Sequence, residues 1–105
     1  MSAEAVEALE AELAAVGLVA TPRQGMPGAV TVRTRGYVID LDQDGVYQVL
    51  REVRPDRPEV GFLGHGEHSA ALSAAAAARH VGRSHVEQIA AALDAIDALR
   101  ADAAH

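Results

Sequence analysis

Apolar positions along this chain follow a helical period, then a period of two, then a helical period again. Val6, Leu9, Leu13 and Val16 recur at three- and four-residue steps, with Glu4, Glu7 and Glu10 on the opposite side. That spacing predicts an amphipathic helix over 3–16. Ser2 is placed to cap it, and the early glutamates suit the positive end of its dipole. Gly17 is placed to stop it in the left-handed conformation. The stretch ATPRQGMPGA (20–29) holds two prolines and two glycines and predicts a loop.

From Val30 the period is two. VTVRT (30–34) and YVIDLD (37–42) flank Arg35-Gly36, and a two-residue turn there sets Val32 against Ile39 and Val30 against Leu41. VYQVLREV (46–53) follows as a third strand. A three-residue loop, Gln43-Asp44-Gly45, would set Leu41 against Tyr47 and Ile39 against Val49. RPDRP (54–58) is a turn, and VGFL (60–63) is a candidate fourth strand.

The remainder is helical: 68–81, a break at Gly82, then 84–101 with Ser84 as its cap. Val86, Ile89, Leu93, Ile96 and Leu99 form the last apolar stripe. The expected fold is a single α+β domain over 1–105. It has an N-terminal helix, a three- to four-stranded antiparallel β-meander, and two C-terminal helices packed on one sheet face.

At 105 residues the chain has room for one core. It has no Cys, Lys, Asn or Trp, and all nine basic residues are Arg. Disulfides, thiolate ligands, Schiff-base chemistry and a P-loop lysine are thereby excluded. The alanine- and arginine-rich usage fits a high-GC bacterial origin. A formal charge of −6 argues against nucleic acid, whose affinity comes from phosphate neutralisation. No apolar run is long enough for a membrane, and the glutamate-rich start lacks the basic region of a signal peptide, so a cytoplasmic location is expected.

Four histidines, His65, His68, His80 and His85, fall within 22 residues, Gly64–His85. On a helix starting at His68, His80 lies about 18 Å along the axis, so all four cannot hold one ion. His65, Glu67 and His68 are the best subset, although their spacing is not that of H-E-x-x-H. A divalent-metal-binding protein or small hydrolase built on these three residues is the alternative reading. DLDQDG (40–45) matches the opening of an EF-hand loop, but the twelfth position is Arg51 and the flanks are strand-like. Asp40 and Asp42 are instead expected on the solvent face, with Asp44-Gly45 as turn chemistry. No nucleophile elbow is present, and no cofactor is implied.

The solvent face of the meander is the other candidate. Thr31, Arg33, Asp40, Asp42, Gln48 and Arg51 are expected there as a contact surface for another protein. Arg33, Arg35, Arg51, Arg54 and Arg57 either balance Asp40, Asp42 and Asp56 or form a patch for an acidic protein or a phosphate. The first or last helix could also join a homodimer.

The segment EVGFLGHGEHSAALSAAAAARHV (59–81), a strand ending in Phe-Leu-Gly that leads into an alanine-rich helix after two hairpins, resembles small actinobacterial accessory proteins. Some of these resemble immunity proteins of polymorphic toxin systems. The resemblance implies a non-catalytic protein that binds and blocks a partner toxin, and it singles out no residue as the blocker.

Overall fold

Arg35 and Gly36 close the central hairpin, and both adopt positive φ, 54° and 83°. That is the geometry of a type I′ turn, whose twist matches the strands it joins. The computed structural model describes residues 3–54, 56 and 59–103, so Ser2 and Arg57 lie outside the described residues. The hairpin consists of β2 (Val30–Thr34) and β3 (Tyr37–Asp42). Its register is the expected one, Val30 against Leu41 and Val32 against Ile39.

Three further strands complete an antiparallel sheet in sequence order, β1-β2-β3-β4-β5. β1 (Ala20–Pro22) lies in the stretch expected to be a loop and pairs with β2, Ala20 opposite Val32 and Pro22 opposite Val30. Turn-forming composition hides it, yet Pro22 is admissible because β1 is an edge strand. β4 (Gly45–Glu52) also enters differently from expectation. Asp42 pairs with Gly45 across the two-residue turn Gln43-Asp44, and Leu41 meets Val46 rather than Tyr47. A bulge then restores the expected pairing of Ile39 with Val49. β5 is only Val60–Gly61, opposite Glu52 and Arg51, and Phe62 beyond it is 88% exposed.

The alternation buries one sheet face. Val30, Val32, Tyr37, Ile39, Leu41 and Val49 form a cluster with Leu9 and Leu13 of α1 (Ala3–Ala14), Ala71 and Ala75 of α2 (His65–His80), and Ile89, Ala92, Leu93 and Ile96 of α3 (His85–Ala103). All three helices therefore use the same side of the sheet. Ala71 and Ala75 bring α2 close to its neighbours because they carry no bulk. Val16, expected on the α1 stripe, falls beyond the helix and is exposed, as Leu99 of α3 partly is. α1 ends in a Schellman motif: Leu18 N–H donates to Leu13 O and Gly17 N–H to Ala14 O, with Gly17 at φ 81°. α3 opens with a capping box, Ser84 Oγ accepting from Glu87 N–H while Glu87 Oε1 accepts from Ser84 N–H.

Two clasps tie the helices to the turns. Arg35 donates to Asp94 and Asp97 on α3, which pins the hairpin tip. His85 joins α1 to the β3–β4 turn. Its Nδ1 lies 3.0 Å from Glu12 Oε1 and its Nε2 lies 3.1 Å from the Gln43 carbonyl oxygen. Both partners are hydrogen-bond acceptors. Glu12 Oε2 also accepts from Val86 N–H.

Candidate binding face

With the helices on one side, β2, β3 and β4 present Thr31, Arg33, Val38, Asp40, Gln48 and Leu50 on the other. Asp40 lies on this face as the alternation requires, yet it is only 4% exposed, not solvated as expected. The bulge accounts for this. It turns Tyr47 to the same side as Gln48, and Arg23, which follows β1, reaches across to both β3 and β4. Arg23 Nη1 donates to Asp40 Oδ2 at 3.2 Å and to Tyr47 Oη at 2.9 Å. Thr31 Oγ1 donates to Asp40 Oδ1 at 2.6 Å, and Tyr47 Oη donates to Met26 Sδ at 3.7 Å. Hydrogen bonding to Tyr47 and the neighbouring Asp40 carboxylate push the Arg23 guanidinium further toward its charged form.

A second crosspiece runs parallel to the first. Arg33 Nη1 donates to Glu52 Oε2 at 2.9 Å, spanning from β2 to β4 across β3. Val38, on the same face of β3, is 4% exposed. The two ion-pair straps convert an open sheet face into a braced one, with Thr31 and Gln48 left half-buried between them. Beside the straps, Gly17, Val19, Thr21, Thr31 and Arg33 line a cleft of about 490 Å³. Val19 at its rim is 79% exposed. Sequence reasoning missed Arg23, Tyr47 and Val19 here, because Arg23 and Val19 flank the overlooked β1 and the bulge reverses Tyr47.

Two of the expected face residues behave otherwise. Asp42 Oδ1 accepts from Asp44 N–H at 2.8 Å, which is turn chemistry. Arg51 pairs with Tyr37 and so shares the helix-covered face, near the sheet edge. Arg51 is three residues from Gln48, so alternation alone sets it on the opposite face, and the bulge at Tyr47 leaves that unchanged. The arginines do not gather either: Arg33 is strapped to Glu52, while Arg35 is clasped to α3.

The histidine segment is rearranged by an earlier helix start. α2 begins at His65 rather than His68, with Gly64 as its cap residue. Glu67 accepts from Gly64 N–H at 3.4 Å and from Arg100 Nε at 2.7 Å. Arg100 is the main reason that the Glu67 carboxyl is held below the ordinary glutamate value. His68 Nε2 accepts from Val49 N–H at 3.4 Å. Glu67 and His68 are thus engaged by different partners. Among the described residues no three His, Asp or Glu side chains converge as a metal would require. The same holds for DLDQDG, whose Asp40 and Asp42 take separate partners.

No helix among the described residues is long and apolar enough to cross a membrane. No family model, curated protein or solved structure matches this chain.

Proposed function

We propose that this chain is a non-catalytic protein-interaction module, of the immunity or chaperone kind, which contacts a partner protein through the helix-free face of its sheet. The observation that carries the reading is the braced face itself. Thr31, Asp40 and Arg23 are fixed to one another before any partner arrives, so little side-chain entropy is lost on contact. Val19, Thr21 and the cleft beside them supply an apolar rim next to the two straps. An interface needs this combination of apolar surface and pre-positioned polar groups.

Affinity capture of the tagged protein from its source lysate, with and without EDTA, tests the reading when run beside two variants. Thr21→Arg crowds the cleft, and Ala77→Glu alters the exposed back of α2. The expected result is one stoichiometric protein that survives EDTA, is lost with Thr21→Arg and is kept with Ala77→Glu. Capture that Thr21→Arg leaves intact, or that EDTA abolishes, overturns it.

A further inference from the structure

The opposite edge of the sheet is built unlike β1. β4 runs for eight residues, but β5 covers only its last two, Arg51 and Glu52. After Gly61 the chain turns away, and Phe62 stands in solvent where a longer β5 would have continued. A cleft of about 350 Å³ opens in that place. Gln48, Val49 and Leu50 of β4 line one side, and Phe62, Leu63, His65 and His68 line the other. Val49 lies two residues before Arg51, so its N–H points to the same edge as the β5 pairing. Its acceptor is an imidazole nitrogen at 3.4 Å, at the long limit for a hydrogen bond. His68 thus occupies the position that the carbonyl of an added strand would take.

From this geometry we infer that the β4 edge is a docking groove for an extended, acidic segment of a partner polypeptide, which adds as a strand beside Gln48–Leu50. The incoming carbonyl replaces His68 Nε2 at Val49 N–H, and one large apolar side chain enters the cleft against Leu50, Phe62 and Leu63. Charge chooses the occupant. Among the described residues no carboxylate lines the cleft, and the Arg51 guanidinium lies over Gly61 at its end. The nearby Glu67 is already held by Arg100. The chain as a whole carries a formal charge of −6, and this edge groove is free of that repulsion for a carboxylate-bearing strand. The inference concerns the edge of the sheet and does not rest on the reading of its face.

The probe is a synthetic seven-residue peptide, acetyl-Glu-Val-Asp-Phe-Glu-Val-Glu-amide, titrated into the isotope-labelled full chain and followed through its backbone amide signals. Two control peptides carry Lys in place of every acid, or N-methyl groups along the pairing edge. Saturable shifts clustered on Gln48–Leu50 and Phe62–His68 are expected. The Lys peptide should bind about tenfold more weakly or worse, and the N-methylated one should not bind. His68→Ala removes the stand-in acceptor and should tighten the acidic peptide several-fold, whereas Phe62→Ser, at an exposed position, should weaken it. No saturation by about 2 mM peptide, shifts confined to the helix-free face, or equal binding of the Lys peptide overturns the inference. Edge shifts that depend on protein concentration and not on peptide would assign the groove to a second copy of the chain, and would overturn it as well.

Discussion

A β-carbon placed on Gly45 would stand 2.7 Å from Gln88 Oε1, nearer than real side chains approach. Gly45 also sits at φ 119°, where an L residue is strained. The turn into β4 and the first turns of α3 are therefore packed together through a residue with no side chain. Gln88 is buried, donating to the Arg83 carbonyl from its Nε2 while its oxygen faces Gly45. Gly45→Ala should cost about 1–3 kcal/mol in urea unfolding. Gly66→Ala, in α2 with open space around it, should gain about 0.5–1 kcal/mol by the same assay.

The Asp40 network should respond in a graded way. Thr31→Val keeps the shape and removes one donor, a loss of about 1 kcal/mol. Asp40→Ala strips Arg23 and Thr31 of a shared acceptor at a buried position and should cost about 1–3 kcal/mol. The double variant should fall short of the sum by at least about 0.5 kcal/mol, as expected for residues in direct contact. Denaturant midpoints of the four proteins check this, and strict additivity would refute the coupling.

Arg35 combines a strained backbone with a useful side chain. Arg35→Gly relieves the φ of 54° but loses the clasp to Asp94 and Asp97, whereas Arg35→Ala loses the clasp and keeps the strain. The alanine variant should be less stable than the glycine variant by about 1 kcal/mol. The clasp is exposed, so its own contribution is about 0.2–1 kcal/mol. Thermal melts of both variants distinguish the two effects.

Acid should loosen the helices from the sheet. Burial pushes the Glu12 carboxyl up, but hydrogen bonds from the His85 ring and the Val86 N–H outweigh it and leave it below the ordinary value of 4.5. Hydrogen bonding to Arg100 chiefly lowers Glu67. Groups with depressed folded values contribute stability that is fully present above the unfolded value and is lost as pH falls through the folded one. Unfolding free energy should therefore decline below about pH 4.5. Glu12→Gln should be destabilised at pH 7 and should converge on the parent protein as pH falls. Urea unfolding at a series of pH values checks both statements.

Where one strict rule governs, sequence and structure agree. The β2–β3 register follows from Arg35-Gly36 and alternating valines, and the α1 stop and the Ser84 cap follow from one residue each. Where a local rule admits two outcomes, they part. A bulge costs one residue of register and turns Tyr47 to the Asp40 face, while Arg51, two residues past the buried Val49, shares the core face by alternation itself. β1 has the composition of a loop because an edge strand needs only half its backbone groups paired. The burial of Asp40 depends on Arg23, whose reach from beyond β1 is a tertiary fact with no periodic signature. Because α2 starts at His65, His65 and His68 share one helix face at the sheet edge while Glu67 is held by Arg100 instead.

The sheet's strand order has a kinetic meaning as well. Every strand pairs with its sequence neighbour, so the meander closes only short loops and can zip without searching. The chain's distant parts meet in the apolar core, where Leu9 and Leu13 join α3, and through the helix clasps, Arg35 to Asp97 across 62 residues and Glu12 to His85 across 73. Folding should place the hairpins in the transition state and leave the clasps for last. Substitutions at Glu12 or Asp97 should then speed unfolding while scarcely slowing folding, which makes the helices the fast-opening side of a slowly dissolving sheet.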